Sequence, residues 1–208
     1  MKITKEHLKS WGASDDGYDF FLRRFPAGEA EYQEVLNAIA DADLPDYADW
    51  LMENAGPDEG AVIALESIAN CKHFFATGRI VIANGAAVTG RLRAGTGIEA
   101  GEGIKAGMVI KAGDGIEAGW GIEAGTDIKA GCGIEAGEGI EAGTDIKAGD
   151  GFGIFAGLRL PLADWTLWAK VIAKAKPDNL VSGSWVEPEV VTDMDAAQSM
   201  IKTQRVAI

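Results

Sequence analysis

The central part of the chain repeats one pattern of hydrophobic residues and glycines every six residues. An aliphatic residue stands at each sixth position, alanine follows two residues later, and glycines lie between successive copies. The same register extends forward to Phe152 and, although the glycines disappear there, backward to Val62, so the repeat covers about residues 62–157. The aliphatic positions of its regular part are Leu92, Ile98, Ile104, Ile110, Ile116, Ile122, Ile128, Ile134, Ile140 and Ile146.

This pattern excludes other common glycine-rich structures. Collagen needs glycine at every third residue together with abundant proline, and the chain has 6 prolines. A helix would lose about 1 kcal/mol for each interior glycine relative to alanine, and six is not a helical period. A flexible linker would not keep an aliphatic residue at every sixth place. The pattern is typical of a solenoid of short strands, with alternate residues pointing inward and glycine at the corners.

The residue after each aliphatic position follows a longer period of eighteen residues. Basic residues recur at this spacing in one column and glutamates in another, which indicates three six-residue sides per coil. Residues 62–157 would then form a little over five coils, or ~25 Å of axis at ~4.8 Å per coil. The two columns are Arg93, Lys111, Lys129 and Lys147, and Glu99, Glu117 and Glu135.

The flanking segments predict helices before the repeat and a mixed tail after it. Residues 1–58 contain helix-start signals at Thr4, Ser14 and Pro45. We expect this unit to cap the solenoid, because an open end presents unpaired backbone groups. After residue 157, alternation around Val171 predicts a strand, and residues 192–204 have the pattern of a short helix.

The predicted fold class is therefore mainly β, a three-sided parallel β-helix with eighteen residues per coil. Its predicted parts are an N-terminal helical domain or cap at residues 1–58, the solenoid at 59–157, and a C-terminal strand and helix tail at 158–208. The tail either caps the other end or forms a homodimer, and the sequence leaves both open.

Composition narrows the classes of function. The 208 residues include 19 Lys and Arg against 32 Asp and Glu, a formal net charge of −13. We expect no direct binding to nucleic acid, which requires basic residues that displace counterions from phosphates. The sequence contains no run of about 18 apolar residues, so it predicts no membrane span. The charged N-terminal segment lacks the apolar stretch of a signal peptide, so we expect a cytoplasmic protein.

Residues for catalysis or metal binding are few. The two histidines, His7 and His73, lie outside the regular hexads. Cys71 and Cys132 would lie three to four coils apart, too far for a disulfide, and no His or Cys spacing is typical of zinc. Residues 101–106 match a dinucleotide-binding fingerprint but lack the long helix that must follow it. We therefore expect no catalytic residue, no metal and no cofactor, and a protein that is not an enzyme.

The hexad resembles the hexapeptide repeat of left-handed β-helix proteins, which are best known as acyltransferases. This resemblance implies a three-sided β-helix and keeps acyltransferase activity as a third alternative. The chain departs from the pattern two places before the aliphatic residue, where Glu102, Asp114 or Trp120 replaces the usual small residue, and the handedness stays open. The layout of a helical start, a GIxAG repeat and a FGIFAGL tail also resembles uncharacterised proteins encoded in phages and prophages.

When the sequence is folded onto three sides, one side collects glutamates and a tryptophan, with no basic residue expected there. Glutamates stacked at ~4.8 Å repel one another and do not stabilise the fold. The column either serves solubility alone or forms a binding face, where carboxylates attract a basic partner and Trp120 is an apolar anchor. The candidate partner-binding residues are Glu99, Glu102, Glu117, Trp120, Glu135 and Glu138.

Together these patterns predict a non-enzymatic acidic binding protein. The expected partner is a basic or nucleic-acid-handling protein, and imitation of nucleic acid is one mode of binding. The phage-like layout suggests an inhibitor of a host defence protein. A structural module, such as an oligomeric scaffold or part of a virion, is the alternative from another class.

Overall fold

The computed structural model describes residues 1–188 and confirms a mainly β, three-sided parallel solenoid. Two of its sheets have seven strands and the third has five. In the regular part each strand pairs with the strand eighteen residues later, as Ile104 does with Ile122. The predicted eighteen-residue coil is therefore confirmed, while the helix predicted at 192–204 lies outside the described residues.

The three sheets are named here as the first, second and third walls. The first wall contains β3 (Val62–Leu65), β6 (Arg79–Ile82), β9 (Ile98–Ala100), β12 (Ile116–Ala118), β15 (Ile134–Ala136), β18 (Ile154–Phe155) and β20 (Leu180–Ser182). The second wall contains β4 (Ile68–Cys71), β7 (Ala86–Val88), β10 (Ile104–Ala106), β13 (Ile122–Ala124), β16 (Ile140–Ala142), β19 (Lys170–Ile172) and β21 (Ser184–Val186). The third wall contains β5 (Phe74–Ala76), β8 (Leu92–Ala94), β11 (Ile110–Ala112), β14 (Asp127–Ala130) and β17 (Asp145–Lys147).

The N-terminal region is a helical unit with a small antiparallel sheet. The elements outside the three walls are β1 (Lys2–Thr4), α1 (Lys5–Ser10), α2 (Asp15–Arg24), β2 (Glu29–Glu31), α3 (Tyr32–Asp41), α4 (Pro45–Ala55), a 3₁₀ turn at Leu162–Asp164 and α5 (Trp165–Trp168).

The solenoid core consists of the aliphatic and alanine positions of the hexads. Ile98, Ile116 and Ile134 stack in one column of the first wall and are each at most 1% exposed. Full burial of an isoleucine side chain contributes about 1.5–3 kcal/mol, so the repeated column is a large part of the driving force for folding. The residue between each isoleucine and its alanine points outward, because successive side chains in a strand alternate.

The two glycines of each hexad differ in how closely the neighbouring coil approaches them. A Cβ atom on Gly113 would overlap the carbonyl oxygen of Gly95 in the preceding coil. A Cβ atom on Gly115 would lie 3.4 Å from the carbonyl oxygen of Gly133, which the backbone there can accommodate with little adjustment. The glycine directly after each alanine of the regular hexads is therefore required by the spacing between coils, whereas Gly115 is not.

The hexad register predicted at the two ends of the repeat is wrong by one or two residues. Ile63, rather than Val62, pairs with Ile80, because the first coil is one residue shorter on this wall. At the other end Ile154, rather than Phe152, pairs with Ile134. A turn with Gly151 at a φ of 81° adds two residues there, and Phe152 is 48% exposed.

The sheets continue past residue 157. Residues 157–169 leave the walls, and β19 then pairs with β16 on the second wall. The strand predicted around Val171 is confirmed, with Val171 fully buried and Lys170 exposed. The last two described strands, β20 and β21, extend the first and second walls.

The helical unit contacts the solenoid through the outer face of the third wall. Phe75 points outward from β5, is 2% exposed and belongs to the apolar core of the helices. The side chain of Gln33 in α3 donates to the Phe75 carbonyl at 2.7 Å and accepts from the Thr77 amide at 3.0 Å. The helical unit that was predicted as a cap thus covers the outer side of the third wall where that wall begins, at β5.

We predict that Gly113→Ala lowers the free energy of unfolding by about 1–3 kcal/mol or more, because the added methyl group is forced against backbone. Gly115→Ala is the matched control, and we expect a change of less than about 1 kcal/mol, since alanine also reduces the freedom of the unfolded chain. Denaturant midpoints followed by circular dichroism measure both changes. Equal losses would contradict the steric difference between the two glycines.

Candidate protein-binding surfaces

The acidic ladder consists of three glutamates on adjacent strands of the first wall. Glu117 pairs in register with Glu99 on one side and with Glu135 on the other. Glu117 and Glu135 are exposed, and Glu99 is half-buried. Each lies between an inward isoleucine and an inward alanine, so the alternation that builds the core also brings these three carboxylates together.

Two arginines border the ladder, so the expectation of a side without basic residues is wrong. The guanidinium of Arg79 donates to the Glu99 carboxylate. Arg159 lies over Gly119 at the corner that follows the ladder. Both arginines come from outside the regular hexads, Arg79 from an early coil and Arg159 from residues 157–169. The charged columns predicted from the hexads therefore did not include them.

In the described part of the chain, Glu117 and Glu135, the upper two glutamates of the ladder, have no basic partner of the kind that Arg79 provides for Glu99. Within residues 1–188, neither Glu117 nor Glu135 forms an ion pair. Two unit charges about 4.8 Å apart repel by roughly 1 kcal/mol in water, and salt reduces this value. The repeated register therefore maintains an unfavourable interaction that the fold does not need.

An apolar patch adjoins the upper end of the ladder. The shallow surface that contains the three glutamates is also lined by Asp114, Cys132, Phe152 and Phe155. Phe155 occupies the ladder position directly after Glu135, and Phe152 is 48% exposed. Sequence reasoning missed both residues because it placed Phe152 inside the core. The signal was the third glycine among residues 149–153, which breaks the six-residue spacing.

The other three candidate residues form a separate column at the corner between the first and second walls. The Trp120 amide donates to the Glu102 carbonyl at 3.2 Å, and the Glu138 amide donates to the Trp120 carbonyl at 3.3 Å. This corner column lines a shallow groove with Lys105 and Glu123 of the second wall, apart from the surface that contains the ladder. The structure thus divides the six candidate residues between two neighbouring surfaces.

The basic residues of the third wall are engaged within the protein. Arg93 is 7% exposed and pairs with Asp49 of α4. Lys111 lies 3.2 Å from Glu53 of the same helix. Farther along the wall, Lys129 pairs with Asp127 at 2.8 Å and Lys147 with Asp145 at 3.0 Å. The predicted self-neutralised column is therefore present on this wall.

His73 links the helical unit to the solenoid. Its ring is buried, its Nδ1 accepts from the Arg91 amide at 3.0 Å, and its Nε2 lies 2.9 Å from Asp43. Because Nδ1 accepts, Nε2 carries the proton and donates to the Asp43 carboxylate. The hydrogen bond from Lys72, followed by the one from His73, holds the pKa of Asp43 below its usual range.

The remaining candidates for chemistry lie apart from one another. His7 is in the capping box of α1, where its Nδ1 accepts from the Thr4 amide at 3.4 Å. Cys71 and Cys132 are free thiols, and burial raises the pKa of Cys71. Among the described residues, no group of three or more His, Cys, Asp or Glu side chains could hold a metal ion. No helix within residues 1–188 is long and apolar enough to cross a membrane.

Comparison with known proteins bears on the helical unit alone. Residues 1–55 match the family described as the YdhT N-terminal domain. The match ends at the last residue of α4, so it coincides with the structural unit that contacts the third wall. The chain matches no curated protein and no solved structure.

We predict that Glu117→Gln raises the free energy of unfolding by about 0.2–1 kcal/mol at low ionic strength, because it removes two repulsive neighbours. The gain should shrink at about 1 M salt, where the screening length falls to about 3 Å. Glu59→Gln, at an exposed glutamate outside the ladder, is the control for the change in net charge. Denaturant midpoints at both salt concentrations test the prediction, and a loss of stability in Glu117→Gln would show that the ladder is not repulsive.

We predict that Asp43→Asn lowers stability near neutral pH, because the carboxylate interacts with Lys72 and His73 only in the folded state. Since folding lowers this pKa from its usual value of 3.8, the contribution is present above that value and disappears as pH falls through the lower folded pKa. The difference between the wild-type and variant denaturant midpoints should therefore close in acid. Asp41→Asn, an exposed neighbour, should show no such closing difference.

Proposed function

We propose that this protein is a non-enzymatic binding protein that uses its acidic first wall to engage a basic protein partner. The observation that carries the proposal is the register of Glu117 with Glu99 and Glu135, together with the lack of ion pairs at Glu117 and Glu135 within residues 1–188. The basic columns of the same solenoid are engaged by α4 or by their own aspartates. The acidic column is thus available to a partner.

Solubility is the simpler explanation for exposed glutamates, and it requires net charge only. Scattered carboxylates would supply that charge without the repulsion between neighbouring strands. The in-register arrangement costs stability, and a partner that brings lysine or arginine side chains would relieve the repulsion on binding. The exposed ring of Phe152 beside the ladder adds the apolar contact that binding sites commonly place at their centre.

The spacing of the carboxylates bears on how a partner would be recognised. The ladder presents one carboxylate per ~4.8 Å, whereas duplex DNA carries one phosphate charge per ~1.7 Å of axis. A single ladder therefore supplies about a third of the charge density of a duplex. This favours a partner whose basic side chains pair individually with Glu117 and Glu135, and a nucleic-acid-binding protein remains within that class.

The resemblance of the chain to phage and prophage proteins with a GIxAG repeat supports a more specific form of the proposal. In that form the protein is encoded by a phage and inhibits a defence protein of the host. The resemblance of the hexad to the acyltransferase repeat keeps acyltransferase activity as a competing proposal. Binding of acyl-CoA, measured by calorimetry, would support it.

A structural scaffold is the second candidate, and the exposed apolar residues near the end of the described chain favour it. Leu162 is 86% exposed, Val181 is 64% exposed and Leu158 is 51% exposed. These side chains could pack against another copy of the chain. A scaffold would form a stable oligomer whose mass, measured by light scattering, persists on dilution, and it would require no host partner.

We predict that Glu117→Lys with Glu135→Lys reduces capture of the partner about tenfold or more, because both charges that face the partner are reversed. Asp41→Lys with Glu59→Lys makes the same change in net charge at exposed positions outside the ladder and should leave capture intact. The experiment compares proteins captured from host lysate by the full chain and the two variants, using quantitative mass spectrometry. If no basic protein is lost selectively from the ladder variant, the proposal is wrong, and a stable homo-oligomer in that case favours the scaffold.

A further inference from the structure

The third wall shows how this solenoid holds a charged helix against stacked charges. Lys111 pairs in register with Arg93 of the preceding coil, so two like charges lie on adjacent strands. Helix α4 contacts both of them, because Asp49 pairs with Arg93 and Glu53 lies 3.2 Å from Lys111. Four residues along α4 thus correspond to one step between coils.

This correspondence follows from the dimensions of the two structures. Four residues of an α-helix rise about 6 Å, and adjacent coils are ~4.8 Å apart. The difference is small enough for flexible charged side chains to span it. Residues i, i+4 and i+7 also lie on one face of a helix, so a helix can present one side chain to each of three successive coils.

An outward aromatic residue completes the contact on the third wall. Phe75 pairs in register with Arg93, on the side opposite Lys111. It is 2% exposed and belongs to the apolar core of the helical unit. The third wall therefore presents one aromatic residue and two like charges on three adjacent strands, and the helical unit contacts all three.

The first wall repeats this arrangement with the opposite charge. Glu117 and Glu135 lie in register on adjacent strands, and Phe155 occupies the next position after Glu135. Both glutamates are exposed, and Phe152 lines the same shallow surface with 48% of its side chain exposed. The first wall thus has the features that the helical unit contacts on the third wall, and the described chain leaves them exposed.

The spacing of these residues favours a helical partner segment over an extended one. Glu117 and Phe155 are two coils apart, or about 9.6 Å along the axis. Residues i and i+7 of an α-helix are about 10.5 Å apart, with i+4 between them on the same face. Two same-face steps of a β-strand cover about 13.4 Å, which is too long. A polyproline II segment presents one side chain per ~9.3 Å to a face, and none would meet Glu135.

We infer that the ladder binds an α-helical segment of its partner with lysine or arginine at positions i and i+4 and an apolar residue at i+7. The two basic side chains pair with Glu117 and Glu135, and the apolar side chain contacts Phe152 and Phe155. The inference rests on the proposed function and specifies the conformation and the residue pattern of the partner segment.

The test measures fluorescence anisotropy of a labelled peptide at low ionic strength, with the full chain as the binding protein. The peptide has eighteen residues of alanine and glutamine, with lysine at positions 6 and 10 and leucine at position 13. A first control peptide has its lysines at positions 6 and 8, on opposite faces of the helix. A second control keeps the original lysines and has proline at position 8, which interrupts the helix. We expect the first peptide to bind about tenfold more tightly than either control.

Variants of the full chain locate the binding. Glu117→Lys with Glu135→Lys should weaken binding of the first peptide about tenfold or more, because both charges are reversed. Asp41→Lys with Glu59→Lys makes the same change in net charge at exposed positions outside the ladder and should leave binding unchanged. Phe152→Ser removes the apolar contact and should weaken binding about threefold to tenfold. Circular dichroism checks that each variant remains folded.

The outcomes separate this inference from the proposed function. If the proline peptide binds as tightly as the helical one, and the ladder variant weakens both, basic recognition holds and the helical inference is wrong. Absent binding, or binding that the ladder variant does not change, also overturns the inference, while capture from host lysate tests the proposed function independently. Binding that appears only after Lys202→Glu with Arg205→Glu would overturn it in favour of the chain's own C-terminal residues as the occupant.

Discussion

The close approach of successive coils at the corners is the constraint on which the solenoid depends. From Gly95 to Gly149, each glycine that follows an alanine faces a backbone carbonyl of the coil before it, and no side chain fits in that space. Glycine at these corners lets the strands stack at their normal spacing and keeps each coil at eighteen residues. Once the coil length is constant, every position of the hexad lies above its equivalent, and all other columns of the solenoid follow.

The same register acts on apolar and charged residues, with different consequences. In the interior it stacks isoleucine on isoleucine and gives a continuous core. On the third wall it stacks basic residues, and α4 neutralises Arg93 and Lys111 through Asp49 and Glu53. The helical unit is thus held by an apolar contact at Phe75 and by charge. On the first wall the register stacks glutamates, and nothing in the described chain neutralises the upper two.

Exposed aromatic rings occur where the register changes. The extra residues around Gly151 turn Phe152 outward beside the end of the ladder. The departure of residues 157–169 from the walls brings Trp168 to the second wall, where it lines a shallow surface with Glu138 and Glu141. Regular coils provide columns of charge, and the irregular segments next to them provide apolar contacts. The surface of the first wall that contains the acidic ladder combines these two features.

The sequence by itself determined the class of fold, the coil length and the membership of the charged columns, because a six-residue repeat with alternation allows few arrangements. It could not determine the ends of the repeat, since a one-residue deletion near Val62 and a two-residue insertion near Phe152 change the register without changing the local pattern. It also could not show that Trp120 and Glu117 lie on different surfaces, or that Arg79 reaches Glu99. Those relations depend on the direction of side chains at a corner and on contacts between coils, and only the tertiary structure decides them.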